Sequence, residues 1–176
     1  MDDVTRGKTK ISYQQTHTLL AFAPPTQEIQ LGGRLTLSSV KVTKNLANRL
    51  TQARAGGQPG KGQAIRLLLE GMAAPREVPV TILVFVNKSD VKLPDDLKSP
   101  NFVGSYTSVP SARTAHGPAA HPPTNIYVDV TNKLTPLVKE GENLTFTLVT
   151  VQPRGAPEGT PMKVSFKSSA LVTTGR

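Results

Sequence analysis

The sequence predicts an all-β fold, an antiparallel β-sandwich of jelly-roll type with one or two short helices. Short apolar runs rich in β-branched residues recur along the chain, and 14 Gly and 15 Pro residues separate them. Only two short segments have helical spacing, which argues against an α/β fold. A chain of 176 residues buries roughly 70% of its extended surface and is typical of one domain. We expect residues 1–30 to form a flexible tail or linker and residues 31–174 to form the sandwich.

The first part of the predicted sandwich contains one strand and one helix. Apolar residues alternate along residues 33–42 but change phase midway, which a strand with a β-bulge would explain. From Thr43 the spacing becomes helical, with Leu46 and Leu50 four residues apart and Thr43 placed to cap the first turn. The glycines and proline of residues 55–63 then predict a loop.

Two apolar segments, residues 64–72 and 78–88, form the predicted centre as a hairpin or as a pair of packed strands. Both faces of the second segment are apolar, which is typical of a central strand. The expected core residues are Ile65, Leu67 and Leu69 from the first segment, and Val80, Ile82, Val84 and Val86 from the second, with Leu83 and Phe85 on its other face.

The second half of the sequence predicts further strands around one long loop. Gly104 interrupts the strand at residues 101–109, which indicates a bulge or a close approach of another backbone. Residues 110–124 form a loop whose length is typical of a functional or disordered segment. The remaining predicted elements are a strand at residues 125–130, a short helix from Thr131 through Val138, and strands at residues 143–151 and 161–172.

The chain is basic, with 21 Lys and Arg against 12 Asp and Glu, and its isoelectric point is near 10.0. Nine basic and three acidic residues fall in residues 1–63. Lys41, Lys44 and Arg49 are therefore candidates for binding a polyanion or a partner protein. Aromatic residues make up 5% of the chain and Trp is absent, which argues against nucleic acid as the partner because stacking surfaces are scarce.

The sequence contains no group of residues typical of an enzyme. It has no Cys and no G-x-S-x-G nucleophile motif, so thiol and serine nucleophiles lack support. His17, His116 and His121 are its three histidines, and the last two could reach one metal from the long loop. The alternative is a solvent-exposed pair, because residues 111–124 contain no carboxylate. A hydrolase or metal enzyme using His116 and His121 stays open as a third hypothesis, to be tested by metal content.

No targeting or membrane segment is visible in the sequence. The first residues carry two acids before the first base and no apolar core follows them, so we expect no secretory signal. No apolar run approaches the roughly 20 residues of a membrane span. The sequence therefore predicts a soluble chain and leaves its compartment open.

Five short motifs stand in one order that is familiar from a known family. From residue 64 onward the chain resembles the C-terminal domain of tyrosinases and polyphenol oxidases (catechol oxidases), in which this domain shields the active site. The matching segments are L-L-L-E-G at 67–71, I-L-V-F-V-N at 82–87, F-V-G-S-Y-T-S-V-P at 102–110, I-Y-V-D-V-T at 126–131 and F-T-L-V at 146–149. The motif residues singled out for the site are Asn87, Phe102, Gly104, Ser105, Tyr106 and Pro110. The family often has a His directly after the motif proline, and Ser111 takes that place here.

The resemblance implies a non-catalytic domain that covers a dinuclear copper site, keeps the enzyme latent and assists its maturation. Such a centre uses six histidines in two helical sets, and this chain has three histidines, so copper is expected in a partner domain, in cis or in trans. The family implies that one side chain of the shielding domain occupies the substrate pocket, and the sequence assigns none. The alternative is a basic β-sandwich that binds a polyanion or a partner protein, for which steep salt dependence would speak.

Overall fold

The computed structural model describes residues 18–22, 27–37, 39–55, 63–75, 78–108, 123–151 and 162–175. In this part of the chain two four-stranded antiparallel sheets face each other across an apolar core. The other described elements are two two-stranded pairs, two α-helices and two 3-10 helices. The predicted all-β sandwich is confirmed.

The first sheet consists of four strands that are all antiparallel to their neighbours. In their order across the sheet they are β1 (Thr18–Phe22), β12 (Ser168–Gly175), β5 (Gln63–Met72) and β8 (Thr124–Asp129). The pairing of β12 with β5 runs over eight residue pairs. This pair forms the centre of the sheet, and β8 is one of its two edge strands.

The second sheet is also antiparallel and places the predicted central strand in its interior. Its strands, in order, are β3 (Arg34–Thr36), β10 (Phe146–Val151), β6 (Thr81–Val86) and β7 (Phe102–Thr107). The small pairs join β2 (Gln27–Gln30) with β11 (Lys163–Phe166), and β4 (Val40–Lys41) with β9 (Asn143–Leu144).

Two helices pack against each other beside β5. The first, α1 (Lys44–Ala55), begins where the backbone N–H of Leu46 donates to the Thr43 hydroxyl at 3.3 Å. This is the capping residue expected from the sequence. The second, α2 (Thr131–Leu134), is a single turn that continues into a 3-10 turn at Thr135–Leu137.

The core lies between the two large sheets and follows the predicted alternation. Along β5, Ile65, Leu67 and Leu69 are buried in it, and along β6 the even-numbered residues from Ile82 to Val86 are buried in the same cluster. The odd-numbered side chains of β6, Leu83 and Phe85, are buried on the outer face. Burial on both faces is the property of a central strand, as predicted.

The structure decides between the two arrangements that the sequence left open for residues 64–72 and 78–88, which are packed strands of opposite sheets and not a hairpin. In addition, β1 and β2 lie within the predicted tail at residues 1–30 and pair with β12 and β11. The two strands are only five and four residues long and the sequence between them contains Pro24 and Pro25, so the segment resembles a linker when only the sequence is considered.

Candidate functional site

The motif residues Asn87, Phe102, Gly104, Ser105 and Tyr106 all lie on or beside the paired strands β6 and β7. Pro110 lies outside the described residues. The structure thus brings the described motif residues into one edge of the second sheet. The contacts of each residue indicate whether this edge contains reactive side chains or residues that fix the backbone and the packing.

Asn87 ends β6 and fastens it to the neighbouring chain segment. Its backbone has a φ of 51°, in the left-handed region that Asn tolerates better than most residues. The Asn87 N–H donates to the Thr145 carbonyl at 2.8 Å, and the Thr145 N–H donates to Asn87 Oδ1 at 2.9 Å. The backbone N–H and the side-chain oxygen of Asn87 are therefore both bonded to Thr145, and they join the end of β6 to the start of β10.

Phe102 closes a small apolar cluster on the outer face of the second sheet. Its ring lies 5.4 Å from that of Phe85, with the ring planes inclined at 51°, a tilted geometry that aromatic pairs favour. Leu83, Val91 and Val149 complete this cluster. Because Val91 belongs to the segment after β6, the cluster anchors that segment against the sheet.

Gly104 lies where β7 of the second sheet comes close to β8 of the first. A Cβ atom at this position would lie 2.7 Å from Val128 Cγ1, which is inside van der Waals contact. The register between β6 and β7 also shifts here, since Val84 pairs with Gly104 and Phe85 with Phe102. The predicted bulge is confirmed, whereas the atom that approaches Gly104 closely belongs to the Val128 side chain and not to a backbone.

Ser105 and Tyr106 have different environments. Ser105 is exposed opposite Leu83, whereas Tyr106 is half-buried against the main core opposite Ile82. The motif edge therefore offers one exposed hydroxyl, and its other described members are engaged in packing or backbone contacts. These contacts are suited to fixing the conformation of this edge of the sheet.

A buried hydroxyl joins the end of β8 to β5, and sequence reasoning missed this contact. Thr131 is 1% exposed, accepts the Ile65 N–H at 2.8 Å and donates to Asp129 Oδ1 at 2.7 Å. Asp129 Oδ1 also accepts the Thr131 backbone N–H at 3.0 Å. The string D-V-T at the strand end is typical of a side chain that caps the following turn, so it indicates the bond between Thr131 and Asp129 but not the bond to Ile65.

The segment between β6 and β7 contains a turn, residues 91–98, that we call the leucine turn. Val91 is buried at its base, whereas Leu93 and Leu97 are 40% and 41% exposed. Asp95–Lys98 form a 3-10 helix within it. From the sequence, no element and no function was predicted for this segment.

Asp96 holds the leucine turn together. Its carboxylate accepts the Lys92 backbone N–H at 2.6 Å and lies 3.4 Å from Lys88 Nζ. The backbone bond from Lys92 is the main cause that holds the pKa of Asp96 below its ordinary value of 3.8, and the Lys88 ammonium adds to it while partial burial opposes both. The carboxylate is therefore charged at neutral pH and fixes the turn.

The basic candidates lie around the start of α1. Lys41 and Lys44 are exposed, and Arg49 is half-buried. Five residues of helix place Lys44 and Arg49 about 140° apart around the helix axis. Lys44 and Arg49 therefore point away from different sides of α1, and their binding of a polyanion or partner stays a prediction.

The histidine candidates, His17, His116 and His121, lie outside the described residues. Within the described ranges, no group of three or more His, Cys, Asp or Glu side chains could hold a metal ion. In the same part of the chain, no helix has the length and apolar character needed to cross a membrane.

Comparison with known proteins places this fold in one family. The family model for the C-terminal domain of chloroplastic polyphenol oxidase matches residues 35–165. A comparison with curated proteins gives no significant match. The match to the family model spans about three quarters of the chain.

Solved structures show the same fold within longer chains. The structure of latent apple tyrosinase is 21% identical, with a TM-score of 0.51 over 84% of this chain and 27% of that chain. A recombinantly expressed latent aurone synthase, a polyphenol oxidase, is 20% identical, with a TM-score of 0.49 over 85% of this chain and 26% of that one. The chain spans about a quarter of the length of these proteins. Together with the extent of the family match, the motif residues on β6 and β7 lead to one conclusion: the chain belongs to the family of the chloroplastic polyphenol oxidase C-terminal domain.

Proposed function

We propose that this chain is a non-catalytic domain that covers the dinuclear copper site of a tyrosinase or polyphenol oxidase, keeps that enzyme latent and assists its maturation. The observation that carries the proposal is the family match over residues 35–165. The apple tyrosinase whose fold it shares is described as latent. The partner is a tyrosinase-type copper domain, in cis or in trans.

The contacts of the motif residues support a covering role. Asn87 is bonded to Thr145 through its backbone N–H and its side-chain oxygen. Phe102 packs on Phe85. Gly104 permits the close approach of Val128. These contacts fix the shape of one edge of the sandwich. A domain that excludes substrate needs such a fixed surface more than it needs a reactive group.

The side chains of this sequence do not fit a dinuclear copper centre of the family's kind. That centre takes six histidine ligands, and the whole sequence has three histidines and no cysteine. We therefore assign copper to the partner domain and derive no step of the oxidation from this chain.

Covering the site would act by competition with the substrate. When the two domains share a polypeptide, the cover is present at an effective concentration of about 1 mM for a short flexible linker. A contact of modest intrinsic affinity then suffices to exclude a phenol. Loosening or removal of the cover would release the activity.

The test is to titrate the purified chain, up to about 1 mM to match a tethered concentration, into an active copper domain. Catechol oxidation and complex formation are followed at two salt concentrations. Loss of activity together with complex formation supports the proposal. Undiminished activity without a complex overturns it.

The salt series separates the proposal from the polyanion alternative. A cover held by apolar and shape contacts inhibits similarly at both salt concentrations, whereas a site built on Lys41, Lys44 and Arg49 loses affinity steeply as salt rises. Substituting these three residues together by Gln is the matched variant. It leaves inhibition unchanged if the copper domain is held by other contacts.

A further inference from the structure

The leucine turn, residues 91–98, exposes two large apolar side chains, those of Leu93 and Leu97. Among the described residues, three large hydrophobic side chains are exposed: Leu93 at 40%, Leu97 at 41% and Val151 at 36%. Two of the three therefore lie within one short turn. Exposed apolar groups that are clustered and surrounded by polar residues are typical of a contact surface.

The turn is held in one shape from several sides. Val91 anchors its base in the cluster around Phe85, and Asp96 accepts the Lys92 N–H. Backbone bonds also run from the Leu97 N–H to the Pro94 carbonyl at 3.1 Å and from the Ser99 N–H to the Asp96 carbonyl at 3.0 Å. A fixed turn loses little conformational freedom when a partner covers it, which favours binding.

The charge of this segment differs from that of the chain. Residues 88–98 contain three Lys and three Asp, so the segment is neutral, whereas the chain carries a formal charge of +9. A polyanion would find no net attraction here. The segment is suited instead to an apolar surface with polar surroundings.

The small apolar area indicates what kind of partner can use it. Two leucines exposed to this degree offer on the order of 150 Å², against about 800 Å² per partner in a stable free complex. Such a contact is effective when the partner is tethered nearby. In latent apple tyrosinase the part that matches this chain is 27% of one longer chain, which is the tethered arrangement that such a contact would need.

We propose that the leucine turn is the surface by which this domain contacts the copper-containing domain in a polypeptide that holds both. This assignment rests on the covering function proposed above and adds to it the contacting residues. The end of the sandwich that bears β6's last residue, Val86, then faces the copper domain. The opposite end of the second sheet, at Val151, faces away.

The experiment compares three forms of the full chain as inhibitors of an active copper domain. One is the unchanged chain, one is the double variant Leu93→Asn with Leu97→Asn, and one is the control Val151→Asn. Val151 pairs with Thr81 and Phe146 with Val86, so the control lies about 17 Å along the sheet from the end of β6. All three substitutions keep the charge, and circular dichroism with a thermal melt checks that each variant folds.

The double variant is expected to need at least about tenfold more chain for half-inhibition, because the exposed part of two leucines would no longer be buried. Val151→Asn should match the unchanged chain. Equal inhibition by all three forms would overturn the assignment and leave the covering function standing. No inhibition by the unchanged chain up to about 1 mM would overturn the covering function itself.

A fourth outcome would assign the turn to another partner. Sedimentation velocity measures self-association of the same three forms. If the unchanged chain forms a dimer that the double variant loses, while inhibition is the same for both, the turn is a contact between copies. That result would overturn the proposal.

Discussion

Replacement of Gly104 by Ala should destabilise the domain, and the structure gives the magnitude. The new Cβ atom would lie 2.7 Å from Val128 Cγ1, and Val128 is a buried, β-branched side chain that cannot rotate away easily. Overpacking of this kind costs about 1 to 3 kcal/mol. Ala in a strand recovers about 0.5 to 1 kcal/mol relative to Gly. With the middle of each range, a cost of about 2 kcal/mol against a gain of about 0.75 kcal/mol, we expect a net loss of about 1 kcal/mol in the free energy of unfolding.

Urea denaturation followed by circular dichroism measures this loss, and a thermal melt should shift by about 2 to 4 °C per kcal/mol for a domain of this size. Ser105→Ala is the matched control, since Ser105 is the exposed neighbour on the same strand. We expect the control to stay within about 0.5 kcal/mol of the unchanged chain.

A double-mutant cycle tests the physical cause. Val128→Ala removes the methyl group that the new Cβ would meet, so Gly104→Ala should cost less in that background, by about 1 kcal/mol. Equal costs in both backgrounds would refute the close approach as the reason for the glycine. A Gly104→Ala domain as stable as the unchanged chain would refute it as well.

Three further predictions concern the contacts around the motif edge. Thr131→Val should lower the free energy of unfolding by about 1 to 3 kcal/mol, because the Ile65 N–H loses its buried acceptor. Thr131→Ser keeps a hydroxyl and should retain most of the stability of the unchanged chain. Urea denaturation of both variants measures the difference, and equal losses would contradict the role of the hydroxyl. Asn87→Ala should be more destabilising than Asn87→Gly, because both lose the side-chain acceptor but only Ala is strained at a φ of 51°; equal stabilities would contradict the strain. Asp96 has a lowered pKa, so its carboxylate stabilises the leucine turn above pH 3.8, and this contribution is lost as the pH falls through the folded-state pKa. The amide resonance of Lys92 in NMR should therefore titrate in that acid range. In the Asp96→Asn variant it should not titrate there.

Much of the sandwich follows from periodicity. The alternation that puts Ile65, Leu67 and Leu69 on one side of β5 can be read directly, because a strand has a side-chain period of two. Helix α1 follows from the spacing of Leu46 and Leu50 and the capping Thr43. A glycine inside an apolar strand indicates a close approach, which Gly104 makes.

The unpredicted features depend on contacts between distant parts of the chain. Whether the segments at 64–72 and 78–88 pair or pack cannot be read from their composition, since both arrangements bury the same residues. The bond between Thr131 and Ile65 spans 66 positions, and no local pattern reports it. The leucine turn was also missed, because its exposed Leu93 and Leu97 stand between charged residues and a proline and look like an ordinary loop.

Steady-state kinetics of an active copper domain, with and without this chain, test the central claim most directly. If the chain covers the site, cover and substrate exclude each other, so the apparent KM for catechol should rise with chain concentration while kcat at saturating catechol stays the same. A fall in kcat with an unchanged KM would contradict a cover that competes with substrate. Unchanged kinetics up to about 1 mM chain would contradict the covering function altogether.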